Sequence, residues 1–416
     1  MKVKEINKVC FIGAGTMGCF NSLMAAAAGY QAVVYDLSGT ALKQMPAGQK
    51  EMADFLVASG FFAADVFPAA FTRITTNSDL LAATADADLI SESVSERLDV
   101  KRQVHNLLDE ICPPTTIITT NTSSLLVSNI EDALVRGDRF AALHSHLGSS
   151  LIDIVGGPRT SVDTIDSLWR YVLSIKGVPL LLKKENPGYV LNAMLGPLLT
   201  MAMMLVIEGI ASKEAIDGAW MLGRKAPIGP FGLMDMFGIN IIADSWSEPK
   251  PETKKLQVKI LGFLSPYLQK NTLGIKTGTG FYSYPQPDYE QPGFLSADAD
   301  IAFPGQALEC VLIENTILIA RKDVADPQDI DRAWMTGMGL QKGPFGSLDE
   351  IGIVEFLNTY IGLVKLGFFS AEAASQVDAY LAPYVASNAL GKKKGKGFYN
   401  YPNPLFETPG FLQARM

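Results

Sequence analysis

The stretch VCFIGAGTMGCF, residues Val9–Phe20, decides the fold of this 416-residue chain. It joins a short apolar run to a G-x-G-x-x-G pattern and then to a stretch with helical character. The next β-rich run, QAVVYD, ends at Asp36, about twenty residues beyond the first glycines, as in a dinucleotide-binding βαβ unit. We therefore predict a strand, a tight glycine turn and a helix that together bind a dinucleotide.

The three glycines have separate roles in this interpretation. Gly13 allows the tight turn, Gly15 lets the backbone approach a pyrophosphate, and Gly18 lets the helix pack closely on the strand. The free N–H groups at the start of the helix favour the anion. Asp36 is expected to accept hydrogen bonds from the adenosine ribose, and the segment DLSGTALK contains no arginine to host a 2′-phosphate. NAD is thus predicted over NADP, with contacts from Gly13, Ala14, Gly15, Thr16, Met17, Gly18 and Asp36.

Short β-rich runs alternate with helical stretches from Lys8 to about Lys184. The later strands are expected in ADLISES, TIITTN, RFAALHSH, LIDIVG and GVPLLLK. This alternation predicts a mainly parallel, doubly wound Rossmann-like sheet covered by helices. Residues 1–185 are therefore assigned to an NAD-binding domain.

After Glu185 helical patterns dominate, and the chain repeats itself. The stretch Ala211–Ile239 resembles Ala325–Ile353, and each contains the sequence GPFG. LGIKTGTGFYSYP, which begins at Leu273, recurs as LGKKKGKGFYNYP. The fold class is therefore α/β, with two all-α modules in tandem after the sheet, at residues 186–295 and 296–416.

Composition narrows the class of protein. The net charge of −8 argues against a nucleic-acid partner. The four scattered cysteines have neither metal nor disulfide spacing, which favours a reducing compartment, and we expect the cytoplasm. We interpret the first residues as a strand rather than a signal peptide. The apolar stretch Gly188–Ile210 is long enough for a membrane span, but its asparagine, glycine and proline favour a buried central helix.

Four stretches carry a resemblance to a known family: the glycine fingerprint, ESVSERLDVK, TNTSSL, and NPGYVLNAML with APIGPFGLMD. Through them the chain resembles the L-3-hydroxyacyl-CoA dehydrogenase family over nearly its full length. The two C-terminal modules are similar to those in the dehydrogenase part of multifunctional fatty-acid oxidation proteins. The resemblance implies a β-oxidation enzyme that interconverts a 3-hydroxyacyl-CoA and a 3-ketoacyl-CoA with NAD.

The resemblance also implies roles for single residues. Ser123 and Asn192 match positions that hydrogen-bond the reacting oxygen, with a helix cap and a buried structural amide as the respective alternatives. Asn121 matches a position near the nicotinamide. Cofactor contacts are also implied for Glu96, Lys101 and Lys276. The alternatives are that Glu96 serves structure alone, that Lys101 pairs with Glu96, and that Lys276 is a solvated loop residue.

The stretch LHSHLGSSLID supplies the expected catalytic pair, with His144 as general base and Asp153 as its orienting acid. His144 takes the place of the family's histidine after RFAAL, and Asp153 takes that of its glutamate. The segment departs from the family, because the carboxylate is shorter and the Asn-Pro sequence between the two groups is missing. His146 shares a face with His144 in an extended strand, so geometry alone does not choose between them.

Three functions remain open at this point. An NAD-dependent dehydrogenase of 3-hydroxyacyl-CoA leads, and a dehydrogenase of a non-CoA 3-hydroxy acid is the second. The third is a catalytically impaired NAD-binding regulatory paralogue, which the altered histidine segment would favour. We expect neither a metal nor a membrane span. We expect a monomer in which the two helical modules form an internal pseudo-dimer and only the first module faces the cofactor.

Overall fold

A sheet of eight strands organises the N-terminal half of the protein. The computed structural model describes residues 5–247, 251–294 and 301–413. The strand order is β3-β2-β1-β4-β5-β6-β7-β8, and only the β6–β7 pair is antiparallel. The strands are β1 (Lys8–Ile12), β2 (Gln31–Tyr35), β3 (Ile74–Asn77), β4 (Leu89–Glu92), β5 (Ile117–Thr120), β6 (Phe140–Ser145), β7 (Leu151–Gly156) and β8 (Val178–Leu182).

Helices cover this sheet, so its central strands are buried along their whole length rather than alternating between buried and exposed residues. They are α1 (Thr16–Ala27), α2 (Gly39–Ala58), α3 (Phe67–Thr72), α4 (Leu80–Thr84), α5 (Leu98–Ile111), α6 (Val127–Glu131) and α7 (Val162–Ser174). The mainly parallel Rossmann-like sheet is therefore confirmed. The sequence reasoning missed β3, because this edge strand reads ITTN and lacks the apolar run of a buried strand.

Helices make up most of the second half. They are α8 (Leu191–Ile207), α9 (Lys213–Arg224), α10 (Pro230–Phe237), α11 (Ile239–Asp244), α12 (Lys254–Gln269), α13 (Ala302–Arg321), α14 (Pro327–Met338), α15 (Pro344–Ile351), α16 (Ile353–Lys365) and α17 (Ala371–Ala386). Within the described ranges, no helix is both long enough and apolar enough to cross a membrane. The apolar stretch in question forms α8, in which Met194, Leu198 and Leu205 are fully buried.

The two helical repeats share unusual local structure. In the first, Asp235 accepts hydrogen bonds from the backbone N–H groups of Phe281 and Tyr282, each at 2.8 Å. In the second, Asp349 accepts from the same two places in its copy, each at 2.9 Å. Each GPFG sequence begins a helix, α10 or α15, with its first glycine as the N-cap. The repeat seen in the sequence is thus a repeat of backbone structure.

The chain divides into two compact units that do not follow the repeat. One comprises Met1–Leu191, Asp323–Gly339 and Glu407–Met416, and the other comprises Asn192–Lys322 and Leu340–Phe406. Helix α14, although it belongs to the second repeat, packs on β7 and β8 in the first unit. The division predicted between residues 185 and 186 stays a prediction, and the one between 295 and 296 lies outside the described residues.

Candidate active site

The glycine turn between β1 and α1 is sterically constrained at two of its three glycines. Gly13 has φ +107°, and a Cβ there would lie 2.8 Å from the carbonyl oxygen of Ser93. A Cβ on Gly18 would lie 1.8 Å from the oxygen of Gly13, so only glycine lets the helix approach the turn. A Cβ on Gly15 would meet no described atom within 4 Å. The helix therefore starts beside open space, which is what a pyrophosphate needs.

Asp36 fastens this turn to the end of β2. Its Oδ2 accepts a hydrogen bond from the backbone N–H of Ala14 at 2.8 Å, and its Oδ1 accepts one from Ser38 at 2.7 Å. A carboxylate has about four acceptor positions, so it can accept further hydrogen bonds from two ribose hydroxyls. The arrangement fits a dinucleotide with a free 2′-hydroxyl, as the sequence predicted.

A buried cluster of charged groups, centred on Glu92, lies at the end of β4. Glu92 Oε1 is 2.8 Å from Lys101 Nζ, and its Oε2 is 2.8 Å from His105 Nε2. Thr120 donates a third hydrogen bond to Oε2 at 2.7 Å. Burial opposes ionisation here, but the hydrogen bonds and charges of His105 and Lys101 prevail and lower the pKa of Glu92 to about 2. Sequence reasoning missed Glu92, and its one signal was an acidic residue at the end of an apolar strand.

Glu96 holds the loop that follows β5. Its Oε1 accepts hydrogen bonds from the Thr122 hydroxyl at 2.6 Å and from the backbone N–H groups of Ser123 and Ser124 at 2.8 and 2.9 Å. Lys101 Nζ lies 3.4 Å from its other oxygen. Burial again opposes ionisation, while the Lys101 charge and these hydrogen bonds lower the pKa of Glu96. Glu96 and Lys101 thus fix the backbone of Ser123.

The antiparallel pairing of β6 and β7 brings the histidines and the aspartate together. Asp153 Oδ2 lies 2.9 Å from His144 Nδ1 and 2.9 Å from His146 Nε2. Asp153 is fully buried, His144 is 6% exposed, and the ring of Tyr189 lies 5.3 Å from the His144 ring. The sequence expectation named one partner for the carboxylate, whereas both histidines contact the same oxygen.

Burial and mutual charge set the ionisation of this cluster. Burial favours the neutral imidazole and, together with the His146 charge, lowers the pKa of His144 despite the opposing carboxylate. Burial favours the neutral form of Asp153 as well, but the two histidines prevail and lower the pKa of Asp153 to about 2. The cluster therefore combines an ionised carboxylate with a neutral His144 near neutral pH.

The shorter side chain of Asp153 is compatible with the shorter segment that connects it to His144. His144 and Asp153 face one another directly in the strand register, so the pair forms without a longer side chain. Asn121, at the end of β5, accepts a hydrogen bond from the backbone N–H of Ser145 at 2.8 Å. Asn121 thus binds the loop after β5 to the strand that carries the histidines.

The remaining predicted residues belong to the second compact unit. Asn192 is half-buried, at the second position of α8. Lys276 is exposed in the 3₁₀ helix Ile275–Thr277.

In the first unit, donor atoms of His144, His146 and Asp153 lie within 4.8 Å of one another, a spacing that also suits a metal ion. The expectation of no metal stays a prediction.

A strand–glycine turn–helix with an acidic residue after the next strand, beside a histidine–carboxylate cluster, defines a dinucleotide-dependent oxidoreductase. The family model of the 3-hydroxyacyl-CoA dehydrogenase NAD-binding domain matches residues 8–185. The model of the C-terminal domain of the same enzymes matches residues 188–284 and again 303–401. The chain belongs to the 3-hydroxyacyl-CoA dehydrogenase family, and it is an NAD-dependent oxidoreductase of 3-hydroxyacyl-CoA.

Relatives of known sequence agree with this membership. The mitochondrial hydroxyacyl-coenzyme A dehydrogenase of Rattus norvegicus is 34% identical over 290 residues, which are 67% of this chain and 91% of that protein. The 3-hydroxybutyryl-CoA dehydrogenase of Clostridioides difficile is 31% identical over 282 residues, which are 67% of this chain and 99% of that protein. The predictions of family and cofactor are therefore confirmed.

Solved structures extend the likeness. A diketoreductase described as carrying out substrate-directed dual catalysis of dicarbonyl compounds is 34% identical, with a TM-score of 0.63, over 68% of this chain and 100% of that one. The 3-hydroxybutyryl-CoA dehydrogenase of Escherichia coli K12 has a TM-score of 0.73 over 91% of this chain and 100% of that one. Its identity is 21%, so it supports the fold alone.

Proposed function

We propose that His144 is the general base with which this chain oxidises a 3-hydroxyacyl-CoA to the 3-ketoacyl-CoA or catalyses the reverse reduction. The observation that carries the proposal is the 2.9 Å contact between His144 Nδ1 and the buried Asp153 carboxylate. Asp153 fixes Nδ1 as the hydrogen-bond donor, which leaves Nε2 of the same ring without a proton. That nitrogen is the one that can take a hydroxyl proton.

The proton and the hydride leave the substrate by separate routes. The proton of the 3-hydroxyl passes to His144 Nε2, and Asp153 stabilises the imidazolium that forms. The glycine turn and Asp36 would hold NAD, which would supply the acceptor for the hydride from C3 of the substrate. In the reverse direction the protonated His144 returns the proton to the carbonyl oxygen.

Ser123 supports this step as a hydrogen-bond donor to the reacting oxygen. Its backbone is held by Glu96, and its hydroxyl is exposed and lies 3.4 Å from that carboxylate. Because the backbone of Ser123 is fixed and its side chain is only weakly held, the hydroxyl can rotate towards a substrate at little cost in free energy. We assign Glu96 and Lys101 to positioning this loop, which is the alternative to a cofactor contact that the sequence left open for both residues.

The cofactor contacts proposed from the structure begin with the glycine turn and Asp36. Ala14 precedes Gly15, whose Cβ would meet no described atom within 4 Å, and Thr16 and Met17 begin α1, where the first backbone N–H groups have no acceptor within the helix. Asn121 is proposed to lie near the nicotinamide. Asn192 on the substrate oxygen and Lys276 on the cofactor remain proposals from the family resemblance.

A second substrate class has specific support. The diketoreductase relative, at 34% identity, is described as acting on dicarbonyl compounds. The segment between the histidines and Asp153 also lacks the Asn-Pro of the family. A dehydrogenase of a 3-hydroxy compound without CoA is therefore the second candidate, and it would use the same base.

We further propose that the chain is a monomer in which the two helical modules pair internally. Helix α9 of the first repeat packs against α13 of the second within one compact unit, which supports such a pairing. Light scattering at several concentrations would contradict the proposed monomer if the mass corresponded to a dimer.

All four cysteines are free and buried, which supports a reducing compartment, and we propose the cytoplasm.

The consumption of NADH tests the activity directly. The assay compares acetoacetyl-CoA and longer 3-ketoacyl-CoAs with the corresponding free 3-keto acids. Turnover of the thioesters alone supports the leading proposal, and turnover of the free acids alone supports the second candidate. NADH binding without turnover of either class would identify a regulatory paralogue instead.

A further inference from the structure

A cavity of about 360 Å³ opens in the second compact unit. It lies between α9 of the first repeat and α13, α15 and α16 of the second, and this volume is within the range of small-molecule sites. Trp220, Ile351 and Phe356 supply apolar wall, and Gln306 and Thr359 supply polar groups.

Two glycines create this cavity. The offset in sequence that makes Pro344 the counterpart of Pro230 also makes Gly337 the counterpart of Gly223 and Gly305 the counterpart of Leu191. A Cβ on Gly337 would lie 2.5 Å from the Leu191 side chain, so that place is filled by leucine. In the other pair the leucine is replaced by Gly305. A Cβ on Gly223, the other residue of that pair, would meet no described atom within 4 Å. The open space in the second compact unit therefore lies where the other copy has a leucine side chain.

The lining of the cavity is also more polar than the corresponding residues of the other copy. The same offset pairs polar residues of the cavity with apolar residues of the other copy: Arg224 with Met338, Glu309 with Leu195, and Glu355 with Ile241. It also pairs Gln306 with Asn192, the residue proposed for the substrate oxygen. Loss of packing alone would leave apolar side chains behind, so the polar lining favours a binding site.

One donor in this lining is buried without an acceptor. The Arg224 side chain is 6% exposed, with one terminal nitrogen bonded to Glu309 Oε1 at 2.7 Å and the other to the Ser347 hydroxyl. Its Nε has no hydrogen-bond partner in the described part of the chain. An unpaired buried N–H is costly, and a carbonyl oxygen of a bound molecule would satisfy it.

Two lysines lie close to glutamates that line the cavity. They belong to the run GKKKGKG, residues Gly391–Gly397, whose 3₁₀ helix Lys392–Lys394 is exposed. Lys392 Nζ lies 3.7 Å from Glu350, and Lys393 Nζ lies 3.7 Å from Glu355, and both glutamates line the cavity. Flexible ammonium groups at this position suit the phosphates of a ligand whose uncharged part enters the cavity.

We propose that this cavity is a second site for a CoA thioester, separate from the active site. The pantetheine arm enters between α9 and α13, where Arg224 Nε and the Gln306 amide donate hydrogen bonds to its carbonyl oxygens. The phosphates lie against the lysines of the 3₁₀ helix. The choice of ligand rests on the proposed function, because the same thioester is then the substrate.

Binding stoichiometry tests the second site. The full chain is titrated calorimetrically with acetoacetyl-CoA in the presence of NAD, a pair that cannot react together. The native protein should bind two equivalents. Gly223→Leu, which places a side chain in the open space, should bind one equivalent and reduce acetoacetyl-CoA with NADH at the native rate.

Gly262→Leu is the matched control, since Gly262 is an exposed glycine of α12 whose Cβ would also meet no described atom within 4 Å. It should keep both equivalents. A single equivalent in the native protein, or two in Gly223→Leu, would overturn the second site. A native protein that binds two equivalents and loses one in Gly223→Leu, yet reduces no thioester, would support this site and contradict the proposed function.

Discussion

His144 and Asp153 lie directly opposite each other in the one antiparallel strand pair of the described sheet, with Nδ1 2.9 Å from Oδ2. Backbone hydrogen bonds between the two strands hold the two residues opposite each other, so little side-chain conformational entropy is lost when the contact forms. We expect His144→Ala to lower turnover by at least ~100-fold, the usual effect of losing a general base. NADH binding, followed by fluorescence, should be nearly unchanged. Near-native turnover of His144→Ala would refute the assignment.

Asp153→Asn tests the orienting role. An amide can donate a hydrogen bond and would favour the wrong tautomer of His144, so turnover should fall by roughly 10²–10⁴-fold. The strand pairing should persist, because Asn is nearly isosteric with Asp. Circular dichroism and NADH binding check that the fold and the cofactor site remain. A variant that keeps its turnover would show that the carboxylate only supports structure.

His146 should change the pH dependence more than the rate. The neutral His144 is the base, so oxidation is lost as pH falls through the pKa of His144. Burial first and the His146 charge second lower that pKa, which preserves activity at lower pH. His146→Phe removes the second effect and frees Asp153 for His144 alone. The acid limb of kcat/KM should therefore move to higher pH, with turnover at the optimum reduced by less than ~10-fold. A dead His146→Phe with an active His144→Ala would reverse the two roles.

The Glu92 cluster should contribute to stability in a defined pH range. The folded pKa of Glu92 is about 2, below its ordinary value of 4.5. Its contribution is therefore complete above the unfolded pKa and is lost as pH falls towards the folded one. Glu92→Gln leaves Lys101 and His105 without their buried anion, so the free energy of unfolding at neutral pH should fall by about 3–5 kcal/mol. Urea unfolding across acidic pH measures both effects, and the variant should lose less stability on acidification.

Glu110→Gln is the control for that experiment, since Glu110 lies on the same helix, α5, but is exposed. It should unfold like the native protein. An equal loss in both variants would show that the buried cluster contributes nothing specific.

Asp36 should discriminate between cofactors. Native protein should bind NADH far better than NADPH, because a carboxylate at this place repels a 2′-phosphate. Asp36→Ala loses hydrogen bonds to the ribose and to Ala14, so NADH affinity should fall by about tenfold or more. Asp36→Asn keeps an acceptor and should lose less. Equal native affinities for NADH and NADPH would contradict the role.

Local patterns predicted the parts of the site that depend on neighbouring residues in the chain. The glycine turn and Asp36 belong to one βαβ unit, so spacing alone located them. Glu92 was missed because its partners Lys101 and His105 are recognisable only after the chain has folded. The double contact of Asp153 was missed for a similar reason, since the strand register between β6 and β7 decides it.

Helix α14 of the second repeat is a structural component of the sheet-containing unit. Lys183, just after β8, donates a backbone hydrogen bond to Val324 at 2.8 Å and its ammonium group lies 2.6 Å from Asp326. Thr336, near the other end of α14, accepts from the Ser149 hydroxyl beside β7. A chain shortened to one helical copy would therefore lack α14, the helix that packs on β7 and β8. The second copy therefore contributes to the unit that contains the sheet as well as to the helical unit.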